Sequence, residues 1–218
     1  MPNRPERKAP LADEDNLKGL DVDPERFGRQ VSFLLEVDRL KGVLRQTYLT
    51  DGSRRENSAE HSWHICLAAL TFAEYARDQG IDFSRVIRML LVHDLIEIDA
   101  GDTYCYDEAA HTDKPERERE GADRIFGILP KDQGALFREL WEEFETGRTP
   151  EARFAHALDR VQPFLHNYVT SGKSWREHRV RHGQVLERMQ RVRRGSRVLW
   201  DYVVQLLENA VERGYLSK

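Results

Sequence analysis

The stretch LLVHDLIE, residues 90–97, decides the fold because it places two polar side chains inside an apolar helical run. His93 and Asp94 would be buried in such a helix, where an unpartnered imidazole or carboxylate is costly. Adjacent residues on a helix are offset by about 100°, so both side chains can lean toward one metal ion that offsets this cost. The stretch therefore predicts a helix that carries part of a metal site.

Two other helices are predicted to bring the remaining metal ligands. Residues 56–63, ENSAEHSW, predict a helix with Ser58 as its N-cap and His61 at the head of its apolar face. A capping threonine and a first-turn proline at 149–150 open another helix, and Asp159 lies on its inward side. An aspartate in that position needs a counter-charge, which a divalent ion shared by three helices would provide.

The predicted ligands, in this order and with helices between them, resemble the HD-domain metal-dependent phosphohydrolase superfamily. The resemblance is to its branch of bacterial 5'-deoxynucleotidases and eukaryotic HD-domain-containing nucleotidases. HDLIEIDAGD at 93–102 is similar to the signature of that branch, and RENSAEHS at 55–62 resembles its first metal motif. The four predicted ligands are His61, His93, Asp94 and Asp159.

The resemblance spans the region from residue 30 to residue 170 and implies an all-α fold, an HD-domain helical bundle with the metal site between helices. Two imidazoles and two carboxylates suit one octahedral Mn²⁺, Co²⁺, Mg²⁺ or Fe²⁺, with open positions for water and a phosphoryl oxygen. Zn²⁺ or Ni²⁺ can take its place in purified protein. We therefore expect one divalent ion per chain.

Three further residues are predicted to act on the phosphoryl group. Glu97 follows His93 by one helical turn, so its carboxylate can orient the attacking water and take or return a proton. The resemblance places Asp102 near the same water or the leaving oxygen, and a carboxylate that merely ends a helix in a turn is the open alternative. The resemblance also assigns Arg45 to the phosphate, which a planar guanidinium matches well.

Other residues are candidates for binding the rest of the substrate. Arg54 is a second candidate for the phosphate. Gln46 stands where related bacterial deoxynucleotidases carry a tryptophan against the sugar, so we expect weak discrimination between deoxyribose and ribose. His166 lies two turns beyond Asp159 on the same face. Further pocket candidates, for which packing is the alternative, are Tyr104, Tyr106, Asn167 and Tyr168.

The remaining pattern predicts a short tail and one domain. Residues 1–24 are rich in Pro, Asp, Glu and Arg and predict a disordered tail before a single domain at 25–218. His178 and His182 form a second histidine pair, but the arginines around it oppose a cation. No strand is predicted. Helical stripes are predicted at 31–40, 58–79, 84–98, 115–128, 133–146, 150–170, 174–193 and 196–213.

Composition limits the partners. The 218 residues carry a net charge of −4, which gives no gross attraction for a nucleic-acid polymer. The start lacks the apolar stretch of a signal peptide, and no run approaches the ~20 apolar residues of a membrane span. We expect a cytoplasmic homodimer with reduced thiols that binds a small phosphorylated substrate and neither a polymer nor a membrane.

These observations predict a metal-dependent phosphomonoesterase that hydrolyses a nucleoside or deoxynucleoside 5'-monophosphate. An HD-type di-iron oxygenase is one alternative, but it needs extra histidines between the His-Asp pair and the last aspartate. Only His111 and His156 lie there. A non-catalytic nucleotide or metabolite sensor is the other alternative, and the presence of both Glu97 and Asp102 argues against it.

Overall fold

The computed structural model of the protein describes residues 14–78, 80–106 and 113–218. Apart from one hairpin, the elements of these ranges are helices, so the all-α fold class is confirmed. The helices are α1 Glu14–Leu17, α2 Pro24–Val37, α3 Ser58–Thr71, α4 Phe83–Val92, α5 Glu97–Ala100, α6 Lys114–Ile128, α7 Lys131–Thr146, α8 Pro150–Val169, α9 Lys173–Glu177, α10 His182–Met189, α11 Val192–Gly195 and α12 Arg197–Glu212.

Helix α8 is the centre of the fold and packs against α3, α4, α7 and α11. It begins as the sequence predicts, with the Thr149 hydroxyl accepting a hydrogen bond from the Ala152 amide. Pro163 lies inside this helix and has no N–H to donate to the carbonyl of Asp159, four residues earlier. Its buried apolar residues are Ala152, Phe154, Ala155, Ala157, Leu158, Val161 and Phe164.

A two-stranded antiparallel hairpin precedes α3, so the prediction of no strand is wrong. Strand β1 is Leu44–Tyr48 and strand β2 is Arg55–Asn57. Neither strand alternates apolar and polar residues, which is why the sequence does not reveal them. Packing against the helices fixes the hairpin instead, because β1 contacts both α8 and α9.

The predicted helix 84–98 is interrupted at the segment that carries the His-Asp pair. α4 ends at Val92 and α5 begins at Glu97, with tight i→i+3 hydrogen bonds from Leu95 to Val92 and from Glu97 to Asp94. His93 still bonds to Met89 as in a regular helix, so the His-Asp pair lies where α4 gives way to the tight turn. The interruption therefore belongs to the site.

Two other predicted helices are also broken. The helix predicted at 58–79 ends at Thr71, because the chain then turns so that the Arg77 amide bonds to the carbonyl of Gly195. The helix predicted at 174–193 forms three pieces, α9 to α11. Arg179, between α9 and α10, has a φ of +54°, a conformation that a non-glycine residue rarely adopts and that no local turn signal announces.

Helices near both ends of the chain contribute apolar residues to the core. Residues 1–13 of the predicted tail lie outside the described residues, and α1, within the rest of that tail, buries Leu17. At the other end, α12 buries Leu199, Val203 and Leu207, so its apolar stripe packs into the core. Within the described ranges, no helix combines the length and apolar character that a membrane crossing requires.

Candidate metal centre

Helix α3 carries His61, which belongs to a buried cluster with His93 and Asp94. The helix is capped by Asn57 and not by Ser58 as predicted, because the Asn57 side chain accepts from the Glu60 amide at 2.9 Å and the Glu60 carboxylate accepts from the Asn57 amide at 3.1 Å. The Ser58 hydroxyl is thereby released and donates to Glu97 Oε2 at 2.7 Å. His61, one turn further on, is completely buried.

The two imidazoles of the cluster turn their Nε2 atoms toward it. His61 Nδ1 lies 2.9 Å from the side-chain oxygen of Gln162, and His93 Nδ1 lies 2.8 Å from the carbonyl of Leu90. Both partners only accept hydrogen bonds, so each Nδ1 carries the proton. In a neutral imidazole, this leaves the lone pair on Nε2.

Two carboxylates meet these nitrogens. His61 Nε2 lies 3.1 Å from Asp159 Oδ1, and His93 Nε2 lies 3.0 Å from Asp94 Oδ1 and 3.9 Å from Asp159 Oδ1. The ligand atoms of His61, His93 and Asp94 all lie within 4.8 Å of one another. His93 Nε2 is buried and makes no hydrogen bond with suitable geometry to any residue that the structure describes.

This arrangement needs a positive charge. Lone pairs on two neutral imidazoles would face negative oxygens, which is unfavourable away from water. Without an ion, a proton on His93 supplies the charge. Burial lowers the pKa of His93, but Asp94 and Asp159 raise it to about 9. Burial alone would raise the pKa of Asp94, but the positive charges of His93 and Arg45 lower it to about 2. The four side chains therefore fit a divalent cation bound by two nitrogens and two oxygens.

Three more charged residues surround the cluster. Burial and the charge of Asp94 raise the pKa of Glu97 well above its ordinary value, and burial raises the pKa of Asp102. Arg45 Nη1 donates to Asp94 Oδ2 at 2.8 Å and lies 3.8 Å from Asp102 Oδ1. Burial would lower the pKa of Arg45, but the surrounding carboxylates raise it. The structure thus brings these three residues together with the predicted ligands.

A cavity of about 130 Å³, partly open to solvent, lies beside the cluster. Gln46 lines it, and its side-chain oxygen lies 3.1 Å from His178 Nε2. Tyr104, Tyr106 and Asn167 also line it, as the sequence predicts for pocket residues. The lining also includes charged side chains that the sequence did not single out as site residues, which are Lys114, Glu118, Glu145, Arg160 and Arg188.

Arg54 and His166 do not line this cavity. The Arg54 guanidinium is exposed and forms a bidentate pair with Glu60, at 2.6 and 2.9 Å. His166 is buried behind the cluster, where its Nδ1 donates to the carbonyl of Tyr48 at 3.0 Å. The structure therefore gives both residues structural contacts, and it places neither beside the space open to a substrate. Tyr168 also faces elsewhere, since its hydroxyl donates to Asn209.

Gln162 is a site residue that the sequence did not reveal. Its amide nitrogen donates to Glu56 Oε1 at 2.6 Å and lies 3.2 Å from both His64 Nδ1 and His166 Nε2. Glu56, His64 and His166 are close enough to hold a second ion, but the amide occupies the space between them. Gln162 therefore links this second group to His61 and fixes the His61 tautomer.

The second histidine pair is not assembled. α9 ends at Glu177 and α10 begins at His182, so His178 and His182 do not share a helix. His178 contacts Gln46, and His182 Nε2 lies 3.2 Å from Glu208 Oε1. This agrees with the sequence argument against a metal at that pair.

Comparisons with known proteins relate the chain to HD-domain phosphohydrolases. A family model described as an HD domain matches residues 37–200. The 5'-deoxynucleotidase HDDC2 of Bos taurus is 32% identical over 143 residues, which is 63% of this chain and 68% of that protein. The Homo sapiens protein of the same name is 32% identical over 62% of this chain and 65% of its own length. A crystal structure of a predicted metal-dependent phosphohydrolase from Magnetospirillum magnetotacticum is 52% identical, with a TM-score of 0.86 over 89% of this chain and 97% of that one.

Proposed function

The chain belongs to the HD-domain family of metal-dependent phosphohydrolases, and from this we propose that it hydrolyses a nucleoside or deoxynucleoside 5'-monophosphate to a nucleoside and phosphate. The observation that carries the proposal is the pair of imidazole Nε2 atoms facing two carboxylates beside a cavity. The names of the curated relatives support this substrate class.

We assign the metal to His61, His93, Asp94 and Asp159. A divalent ion at these four side chains would polarise a phosphoryl oxygen and lower the pKa of a water molecule. Mn²⁺, Co²⁺, Mg²⁺ and Fe²⁺ all accept such nitrogen and oxygen ligands. Three helices of the core position the ligands, since His61 lies on α3, His93 and Asp94 directly follow α4, and Asp159 lies on α8.

Glu97 is the proposed general acid and base. It sits in the cavity wall beside Asp94, and the Ser58 hydroxyl holds one of its oxygens at 2.7 Å. A buried carboxyl with a raised pKa is suited to take a proton from the attacking water and to return it to the leaving oxygen. Asp102, which also lines the cavity, is proposed to hold the same water or the leaving oxygen.

Arg45 is the proposed phosphate-binding residue. Its guanidinium stays charged among the carboxylates, and one nitrogen is already fixed by Asp94. The Nε atom has no hydrogen-bond partner within the described part of the chain. A phosphate oxygen can satisfy such a donor, which strengthens binding and orients the phosphoryl group for in-line attack.

The two alternatives predict different measurements. For a di-iron oxygenase, His111 lies outside the described residues, and His156 packs edge-on against Phe144 with a pKa that burial lowers to about 4. Metal analysis should give one ion per chain, whereas an oxygenase would bind two irons. A sensor would bind nucleotide without releasing phosphate.

A phosphate-release screen tests the function directly. Purified protein is freed of metal, reloaded with each candidate ion, and assayed on nucleoside and deoxynucleoside mono-, di- and triphosphates. We expect release from 5'-monophosphates that is lost with chelator and restored by metal. Binding of nucleotide with no release in any metal would favour the sensor.

Gln46 should give the enzyme little discrimination between sugars. Its oxygen contacts His178, and its amide N–H groups, which bond to no described residue, can meet a ribose 2'-hydroxyl. We expect dAMP and AMP, or the corresponding pair for another base, to differ by less than ~100-fold in kcat/KM. Gln46→Trp should widen the gap toward the deoxy substrate, and Gln46→Met, which keeps the space open, should not. A strong deoxy preference in the parent that neither variant changes would place sugar selection elsewhere.

Gln162→Leu should weaken metal binding while keeping all four ligands. The leucine cannot accept from His61 Nδ1, so the imidazole loses its fixed tautomer and orientation. Loss of such a partner typically lowers metal affinity ~10–100-fold. Titration of metal-free protein with Mn²⁺ or Co²⁺ measures this, with the exposed Gln190→Leu as control. Unchanged affinity in Gln162→Leu would remove Gln162 from the support of the site.

The proposed assembly is a cytoplasmic homodimer. α3 exposes Trp63, Leu67 and Leu70 on one outer face, with Trp63 at 63% and Leu70 at 61% exposure. A second copy of the chain would cover such a face. Sedimentation of the parent and of Trp63→Asp tests the dimer, which should dissociate in the variant if this face forms the contact.

A further inference from the structure

Glu56 is a buried carboxylate to which the four proposed ligands give no role. It lies on β2 and is 1% exposed. Its Oε1 accepts a hydrogen bond from the amide nitrogen of Gln162 at 2.6 Å. Its Oε2 has no hydrogen-bond partner in the described ranges, since His61 Nδ1 lies 3.7 Å and Arg45 Nε 4.0 Å away. Burying a carboxylate with one oxygen unsatisfied is costly, which points to a role other than packing.

The side-chain amide of Gln162 has two possible orientations, and its neighbours select one of them. The oxygen lies 2.9 Å from His61 Nδ1, whereas the nitrogen lies 2.6 Å from Glu56 Oε1 and 3.2 Å from His166 Nε2. His166 Nδ1 donates to the carbonyl of Tyr48, so Nε2 of the neutral ring can only accept. Rotating the amide by 180° would place its oxygen against the Glu56 carboxylate. Glu56, the closer of the two acceptors and a carboxylate, therefore determines the orientation most strongly.

The orientation of this amide matters for the metal because His61 has a neighbour for its proton on each side of the ring. With the amide oxygen of Gln162 at Nδ1, the proton stays on Nδ1 and Nε2 keeps its lone pair. If the amide turned, Nδ1 would face a donor, and the proton would move to Nε2, which lies 3.1 Å from Asp159 Oδ1. A nitrogen that carries a proton cannot bind a metal ion. The orientation that Glu56 imposes is therefore the one that leaves His61 able to act as a ligand.

We infer that Glu56 is a positioning residue of the metal centre, which holds the amide nitrogen of Gln162 so that the amide oxygen faces His61 and Nε2 stays free for a divalent ion. The inference rests on the proposed function, in which His61 is a metal ligand. Glu56 does not line the cavity, so it acts through Gln162 and His61 and contacts no substrate.

Metal affinity tests the inference without any substrate. Chelator-treated protein is titrated with Mn²⁺ or Co²⁺. Glu56→Leu should lower the affinity ~10–100-fold, the usual effect of losing an outer partner of a ligand. Glu56→Gln should stay close to the parent, because the oxygen of its side-chain amide also accepts from Gln162. Unchanged affinity in Glu56→Leu, or an equal loss in both variants, would overturn the inference, since the acceptor at position 56 would then not be what matters.

A second substitution at Gln162 should repair the loss. The two oxygens of a carboxylate are equivalent, so Gln162→Glu presents an acceptor to His61 in either orientation and needs no partner to orient it. The double variant Glu56→Leu/Gln162→Glu should therefore regain most of the metal affinity that Glu56→Leu loses, and the double-mutant cycle measures the coupling. A role of Glu56 in folding alone would not be repaired in this way, so a double variant as weak as Glu56→Leu would contradict the inference.

Glu143→Leu is the matched control. Glu143 on α7 is also largely buried, with 11% of its side chain exposed, but its partners are Arg85 and the hydroxyl of Thr149. Removing this carboxylate should lower the thermal stability of the protein and leave its metal affinity unchanged. If Glu143→Leu weakens metal binding as much as Glu56→Leu does, the effect is a general loss of stability and the inference is overturned.

The position of the proton on His61 gives a readout that depends neither on hydrolysis nor on the variants. Long-range ¹H–¹⁵N spectra of chelator-treated protein show which ring nitrogen is protonated, and the His61 signals are those missing from His61→Ala. We expect a proton on Nδ1 in the parent and in Glu56→Gln, and its transfer to Nε2 in Glu56→Leu. A bare Nδ1 in the parent would overturn the inference even if no variant folds. The expected proton positions without phosphate release would uphold the inference and contradict only the proposed hydrolysis.

Discussion

Asp94→Ala should leave the purified protein without its divalent ion and reduce phosphate release to background. The substitution removes one of the four proposed ligands and also frees Arg45, which donates to Asp94 at 2.8 Å. Loss of even an outer partner of a ligand typically costs ~10–100-fold in metal affinity, so loss of a ligand itself should cost more. His61→Ala should behave in the same way. Metal content by mass spectrometry and phosphate release by a colorimetric assay measure the two effects.

Asp201→Ala serves as the control for this pair. Asp201 is an exposed carboxylate on α12, far from the cluster in sequence, and its only described ion pair is with Arg197 at 3.8 Å. That variant should keep its ion and its activity. Full metal occupancy together with unchanged hydrolysis in Asp94→Ala would remove Asp94 from the site, and the same result in His61→Ala would remove His61.

Glu97→Ala should keep the metal and lose most turnover. General acid and base assistance typically contributes ~10²–10⁴-fold, and none of the four proposed ligands is altered. The decrease should appear in kcat more than in KM, since Glu97 is proposed to act on water and not on the bound nucleotide. Steady-state kinetics on the metal-loaded variant, with metal content measured on the same sample, give both quantities.

Asp99→Ala is the matched control, because Asp99 lies on the same short helix and pairs with Arg124 outside the cluster. It should retain both metal and turnover. Loss of the ion in Glu97→Ala would identify Glu97 as a ligand and make its proposed role in proton transfer wrong.

The clustering of His61, His93, Asp94 and Asp159 was predictable because polar side chains interrupt apolar helical surfaces there. A His-Asp pair in an apolar run, and an aspartate on the inward face of a capped helix, are anomalies that a single ion resolves. The order of these residues along the chain then supported the family resemblance. The same reasoning found the helices of the core, since α6, α7, α8 and α12 follow periodic stripes with clear boundaries.

The supporting residues were not predictable because nothing local distinguishes them. Gln162 is an ordinary polar residue three positions after Asp159, and its importance comes from contacts with His61 and Glu56, about a hundred positions away. In the sequence Arg160 resembles a surface arginine, but the packing of α8 buries it. The break at Arg179 depends on a positive φ that the sequence does not signal. Each of these features is set by tertiary packing.

The tight turn between α4 and α5 links metal binding to local mobility. The amides of Leu95, Glu97, Ile98 and Asp99 bond to carbonyls three residues earlier and not four, and both ends of the turn carry groups of the cluster. Segments of this kind open by local fluctuation before the rest of a domain unfolds. An ion bound to His93 and Asp94 would oppose that opening, so the backbone amides from Leu95 to Gly101 should exchange with solvent deuterium more slowly in the metal-loaded protein. Metal binding alone, without a nucleotide, should therefore be measurable as a decrease in the deuterium exchange rates of these amides.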